Sequence, residues 1–185
     1  DELRRNIAKV PTSVYRLQFR QGVDFDRAAR LVPYLAGLGI SHLYASPLFT
    51  ATQGSSHGYD VTDPGEIDPA LGGGEGLGRL SAAFKENGLG LILDIVPNHM
   101  AFAPETPRLR DVLRHGADSR YARHFDMDLR DRLRLPWLPA PFEDVLPGLT
   151  VEDDADGPVL VSGGLRVPLA DTPSLDAARG GGTEA

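Results

Sequence analysis

The apolar run Leu89-Gly90-Leu91-Ile92-Leu93, followed at once by Asp94 and then by Pro97-Asn98-His99, restricts this chain more than any other stretch. A run without polar residues on either face has the pattern of a central parallel strand, covered on both sides. Polar groups that begin where the apolar run stops mark the strand's carboxyl end, where α/β folds gather their chemistry. Asp94 alone reads equally well as the end of a buried strand before a capped loop.

Upstream, one unit repeats. Thr12–Phe19 is β-branched and aromatic, and Arg16 and Gln18 alternate with apolar positions, so one face of this strand is polar. An edge strand with a wet face would read the same way. Phe25, Ala28, Leu31, Val32, Leu35 and Leu38 recur at three- and four-residue steps, predicting a helix over 25–38 with Asp24 as its cap and Gly39 as its stop. Ile40–Pro47 is a second strand. Residues 75–87 form a second helix with Leu77, Leu80 and Phe84 inward, and 89–95 form the third strand. The order predicts three βα units with right-handed crossovers. Leu48–Gly74 is far longer than the usual connection of about two to six residues. It holds His57, Tyr59 and Asp60, and is expected to be a functional loop. Residues 1–11 read as a loose polar lead-in.

Beyond His99 the pattern changes. Thr106-Pro107 opens a helix carrying Leu109, Val112 and Leu113, and Ser119 caps a shorter one with Tyr121 and Phe125. Residues 126–147 read as irregular. Three short strands follow at 149–152, 158–162 and 165–168, with Gly163-Gly164 turning the last hairpin. Glu152, Asp153, Asp154 and Asp156 are expected in the turn before that hairpin, and their spacing matches no EF-hand. Gly180–Ala185 reads as a mobile tail. The organisation expected is 1–100 as three βα units and 101–185 as a separate subdomain.

The formal charge of −7 and the lack of a basic patch with aromatics argue against nucleic acid. No apolar run approaches the ~18 residues of a membrane span, and no signal-peptide pattern precedes the first strand. The chain has no cysteine, hence no disulfide framework and no thiolate metal site, which fits a cytoplasmic setting.

Two clusters then carry the chemistry: His57, Tyr59 and Asp60 after the second strand, and Asp94, Asn98 and His99 after the third. Neighbouring strands lie about 4.8 Å apart, so the two loops can meet over one pocket. An aromatic plate with imidazoles, carboxylates and an amide suits a sugar, whose apolar face stacks while its hydroxyls take hydrogen bonds. Two histidines and two carboxylates are also zinc-type ligands, although no histidine pair at helical spacing is present.

Asp94-Ile95-Val96-Pro97-Asn98-His99 resembles the first conserved region of the α-amylase superfamily, and His57-Gly58-Tyr59-Asp60-Val61-Thr62-Asp63 resembles the loop preceding it there. Within that superfamily, Tyr15–Phe19, Gly39–Pro47 and Gly54–Asp60 resemble the trehalose-forming branch, the maltooligosyltrehalose synthases; the likeness continues more loosely to about residue 170. The resemblance implies that Tyr59 stacks on a sugar ring, His99 bonds its 6-hydroxyl, Asp94 organises the floor and Asn98 orients the loop. Asp60, His57, Arg16 and Gln18 are implied as supporting or substrate-contacting groups. It implies no cofactor; the calcium bound in many amylases is not expected, since trehalose-forming members generally do without it. The reaction implied converts the reducing-end α-1,4 linkage of a maltooligosaccharide into an α,α-1,1 linkage by intramolecular transglucosylation.

The fold expected is the amino-terminal portion of a (β/α)8 TIM barrel, about three βα units, followed by a mixed helical and short-strand insertion after strand 3. A closed barrel takes about 250 residues, and the superfamily's catalytic carboxylates follow strands 4, 5 and 7. No catalytic residue is therefore expected in this chain, and a second polypeptide carrying the remaining strands is expected as partner beside an α-glucan substrate. A fragment of another α-glucan-active hydrolase, or a non-catalytic glucan-binding module, would share these residues.

Overall fold

The computed structural model describes residues 10–130, 133, 135–170, 172 and 175; most of the expected lead-in and the glycine-rich tail lie outside them. Two compact units divide the chain, Asp1–Ala101 and Phe102–Ala185.

In the first unit the elements run β1 (Val14–Leu17), α1 (Phe25–Gly37), β2 (His42–Ala45), β3 (Phe49–Ala51), β4 (Val61–Ile67), α2 (Gly73–Asn87) and β5 (Gly90–Leu93). β1, β2 and β5 form a parallel sheet with β2 at its centre. The register fixes what each face carries. Tyr15, Leu43 and Leu91 lie level, as do Leu17, Ala45 and Leu93, on one face. Val14, His42 and Gly90, then Arg16, Tyr44 and Ile92, occupy the other.

The first face is covered by α1 and α2. Phe25, Ala28, Val32 and Leu35 from α1 meet Leu80 and Phe84 from α2 over Leu43 and Ala45, with Phe19, Leu48 and Leu71 closing the core. Asp24 caps α1 as expected, its carboxylate accepting from the Arg27 backbone N–H at 2.7 Å. Leu31 and Leu38, expected inward, are exposed. At 3.6 residues per turn they fall about 60–80° to one side of Ala28, beyond the buried stripe.

On the other face the His42 ring lies across β5. A Cβ built on Gly90 would sit 2.2 Å from His42 Cδ2, so only glycine fits beneath the imidazole. Ser41 Oγ donates to the Ser13 carbonyl at 2.8 Å and lies 3.0 Å from His42 Nδ1.

Leu48–Gly74 is not a plain loop. β3 and β4 pair antiparallel within it, with register shifts on either side of Thr50, and a 3-10 turn at Pro69–Leu71 follows. β4 escapes a composition-based reading because Pro64 and Gly65 lie inside it.

The second unit holds α3 (Pro107–His115), α4 (Phe142–Val145) and an antiparallel sheet of β6 (Thr150–Asp154), β7 (Gly157–Ser162) and β8 (Leu165–Pro168). Leu109 and Val112 of α3 are buried, and Leu113 is partly so. The helix expected after Ser119 shrinks to a 3-10 turn at Ala122–His124, with Ser119 Oγ accepting from the Tyr121 N–H at 3.0 Å. Residues 126–147, expected to be irregular, contain α4; residues 131, 132 and 134 of that stretch lie outside the described ones. The hairpin turns at Gly163-Gly164, where Gly163 takes φ 57°. Of the acidic residues expected in a turn, Glu152, Asp153 and Asp154 lie in β6 instead, and only Asp156 is in the turn. Arginines pair with two of them there: Arg166 meets Glu152 at 2.8 Å and Arg110 meets Asp154 at 2.6 Å.

Candidate functional site

The uncovered face of the parallel sheet carries a polar cluster at the strands' carboxyl ends. Arg16 of β1 lies level with Tyr44 of β2. Asp94 follows β5, and its N–H donates to the Ala45 carbonyl at 3.1 Å, so the pairing continues one residue further. Two residues past Ile92, Asp94 falls on the same side as Arg16 and Tyr44. Tyr44 Oη donates to Asp94 Oδ2 at 3.0 Å. Tyr59 Oη, brought back by the loop between β3 and β4, donates to the same oxygen at 2.5 Å. Arg16 Nη2 donates to Tyr59 Oη at 3.1 Å, lies 3.8 Å from Asp94 Oδ2, and its guanidinium rides over the Tyr44 ring at 5.5 Å. One carboxylate oxygen thus organises two phenols and a guanidinium.

Gln18 fastens the loop to the strand beside it. Its Oε1 accepts from Arg16 Nη1 at 3.2 Å, and its Nε2 faces the carbonyls of Phe19, Ser56 and His57 at 3.1, 3.3 and 3.4 Å. The His57 and Tyr59 rings stack, centroids 5.9 Å apart and planes at 26°. Asp60 closes the loop from inside: Ser55 Oγ donates to Oδ1 at 2.5 Å and Thr52 Oγ1 donates to Oδ2. His57 Nδ1 is 3.6 Å from Asp60 but accepts the Tyr59 N–H at 3.0 Å.

The hydrogen bond to Asp94 holds the Tyr59 phenol above its ordinary pKa, and burial adds to this. The bond to Tyr59 likewise raises Arg16. Burial pushes the Asp60 carboxyl up, but the hydroxyls of Ser55 and Thr52 outweigh it and hold the group below its usual range. A depressed carboxyl contributes stability that is present above its unfolded pKa of about 3.8 and fades as pH falls through the lower folded value. The stability gap between the parent and Asp60→Asn should therefore stay flat down to about pH 4 and close only below it. Urea denaturation of the pair at several pH values checks this; a gap that closes near neutrality would refute it.

The structure brings Arg16, Gln18, His57, Tyr59, Asp60 and Asp94 together. Asn98 and His99 are exposed on the segment after β5, and among the described residues neither hydrogen-bonds the cluster. Sequence reasoning missed Tyr44, although its alternation with Leu43 and Ala45 repeats the pattern that picked out Arg16. The cluster is an open shelf, not a closed pocket: the Arg16 and His57 side chains are 43% and 52% exposed. A concavity of about 470 Å³ exists in the second unit instead, lined by Pro107, Arg110, Asp111, Arg114, His115 and Asp156. Among the described residues no three histidine or carboxylate groups converge as a metal site would require.

Comparison with known proteins adds an independent measure. Residues 24–126 match the family described as alpha amylase, catalytic domain. A curated relative, a putative maltooligosyl trehalose synthase of Mycobacterium tuberculosis, is 44% identical over 170 residues, covering 85% of this chain and 21% of the relative. The crystal structure of a maltooligosyl trehalose synthase superposes with a TM-score of 0.80 at 38% identity, over 88% of this chain and 23% of that one. The maltooligosyltrehalose synthase of Arthrobacter ramosus gives 0.76 at 44%, over 94% and 22%. The chain thus spans about a fifth of the length of the relatives it matches.

Proposed function

The chain belongs to the α-amylase catalytic-domain family, its three parallel strands being part of a (β/α)8 barrel, and on that premise we propose that it supplies the sugar-facing shelf of a trehalose-forming glucan isomerase. Tyr59 carries the reading. Its ring is fixed by Asp94 from 35 residues away, yet it stays 36% exposed, as a stacking surface for a pyranose must. Asp94, with its Oδ2 engaged by two phenols, positions that ring and does not attack a sugar. His57 stacks beside that ring, Gln18 and Arg16 tie the loop to β1, and Asn98 and His99 meet the ligand from the far side.

The reaction proposed moves the terminal glucosyl unit from its α-1,4 bond to an α,α-1,1 bond with retention. Retention needs a nucleophile and an acid/base about 5 Å apart. We place both in later strands of the barrel. The sheet itself asks for further strands: Val14 and Tyr15 on β1, and Leu93 and Ile95 on or just past β5, are 46%, 44%, 48% and 56% exposed along its two edges, which are unpaired among the described residues. The relatives are single longer chains, so the second polypeptide expected from the sequence has no support from them. What the edges require is more strands, on whichever chain they lie.

The test is an assay on maltopentaose with the rest of the barrel in place. A non-reducing trehalosyl product is the expected outcome. A net gain of reducing ends would make the protein a glucan hydrolase, and glucan binding without turnover would make it a binding module. Tyr59→Ala and His99→Ala should each lower turnover at least tenfold while leaving the melting temperature near the parent's. Unchanged kinetics in either would remove that residue from the site.

A further inference from the structure

We propose that Arg20, clamped by Asp68, is a positioning residue that sets the height of Tyr59 over Asp94 by bearing on Gly58. Its importance for sugar binding rests on the reading of Tyr59 given above; the geometry does not.

Arg20 ends the first strand's connection in a tight turn. Its N–H donates to the Val23 carbonyl at 2.8 Å and its carbonyl accepts from the Val23 N–H at 3.0 Å. Arg20 and Gln21 take φ 84° and 50°, left-handed values uncommon for residues with side chains. Backbone strain of this kind persists only where the surroundings over-determine it. They do so here. The Arg20 side chain, 7% exposed, is driven inward to Asp68, 6% exposed, and its Nη2 lies 2.7 Å from Asp68 Oδ2. Nη2 donates instead to the Phe49 carbonyl at 3.2 Å, which ties the guanidinium to the start of β3. Asp68 is itself held: its Oδ1 accepts from the Ala70 N–H at 2.8 Å, and its own N–H donates to the Leu48 carbonyl at 2.9 Å.

The remaining face of the guanidinium meets the loop. A Cβ built on Gly58 would fall 2.8 Å from Arg20 Nε, 3.2 Å from its Nη2 and 2.9 Å from the Pro47 carbonyl, and Gly58 has φ 80°. Among the described residues Arg20 Nε has no hydrogen-bond partner. The buried, paired arginine is a stop against which the peptide preceding Tyr59 rests. Tyr59 follows immediately, with its oxygen 2.5 Å from Asp94. Were the stop removed, Gly58 could sink, and the phenol would leave the carboxylate.

The test follows Tyr59 directly, with the rest of the barrel in place. The chain carries five tyrosines, and Tyr59→Phe assigns the 13Cζ resonance of Tyr59 in tyrosine-labelled protein. Asp94→Asn supplies the position of that resonance when the charged acceptor is lost. In Arg20→Met the Tyr59 signal should move most of the way to the Asp94→Asn position, and amide exchange in 52–60 should quicken at least tenfold. Exchange in α1 and α2 should be unchanged. Arg20→Lys, which keeps the charge but not the planar fork, should restore the signal only in part. If Arg20→Met leaves Asp68 unpaired and does not fold, Arg20→Met/Asp68→Asn removes both charges and is read the same way. A Tyr59 signal that stays at the parent position once the pair is gone overturns the proposal. Because no step requires turnover, a protein that proves inactive on glucans leaves this outcome readable.

Discussion

Gly90→Ala is expected to lose about 1–3 kcal/mol of stability, the range for forcing an extra methyl into a packed site. The case is unusual because the backbone is not at fault. Gly90 is absent from the left-handed residues, and alanine in a strand interior is ordinarily better than glycine by about 0.5–1 kcal/mol. Any loss must come from the imidazole of His42, which is 5% exposed and lies 2.2 Å from where the new Cβ would stand. His42→Ala will itself cost stability. In the double variant, however, the methyl finds the space the ring has vacated, so the two losses should sum to more than the loss observed. Urea denaturation of the four proteins gives the coupling directly. A Gly90→Ala protein as stable as its parent would mean that the ring has room to turn aside.

Asp94→Asn should cut maltooligosaccharide affinity about 100-fold, since hydrogen bonds to a charged group are worth about 1.5–3 kcal/mol and each tenfold is about 1.4. An asparagine keeps the shape but not the charge. Its oxygen can accept from one phenol, while its amide nitrogen turns a donor toward Arg16 and the second. Tyr59 then loses the acceptor 2.5 Å away that aims its ring. Tyr59→Phe should do less, because Tyr44 still donates to Asp94 at 3.0 Å and the ring remains. Titration of maltopentaose by calorimetry, with the barrel complete, reads both. If Asp94→Asn binds like the parent and only turnover falls, the carboxylate acts in the chemistry and not in placing Tyr59.

The parts of this fold that could be read from residues alone are those where a single local signal suffices. Asp24 before an apolar stripe starts α1, and Gly163-Gly164 between two β-branched runs turns the last hairpin. The parallel order of β1, β2 and β5 followed from helices spaced between apolar runs. The misses share another physics. β4 contains Pro64 and Gly65, which are turn residues, and is held extended by its pairing with β3. Glu152 and Asp154 sit in a strand because arginines 14 and 44 residues away in sequence reach them. Tyr44 became visible as part of the shelf only once β1 and β2 were in register. Local propensity carries none of this; partners distant in sequence decide it.

The stem that carries Tyr59 pairs irregularly, with Thr50 opposite Asp63 but Phe49 opposite Ile67 and Ala51 opposite Val61. In a hairpin of unbroken register every inserted residue turns the side chains beyond it onto the opposite face. A bulged stem absorbs an insertion as a local kink. Length changes among chains of this kind are therefore best tolerated at 49–51 and 61–67. The tip, fastened separately to the sheet through Gln18 and Asp94, can hold its tyrosine in place while its stalk grows or shrinks.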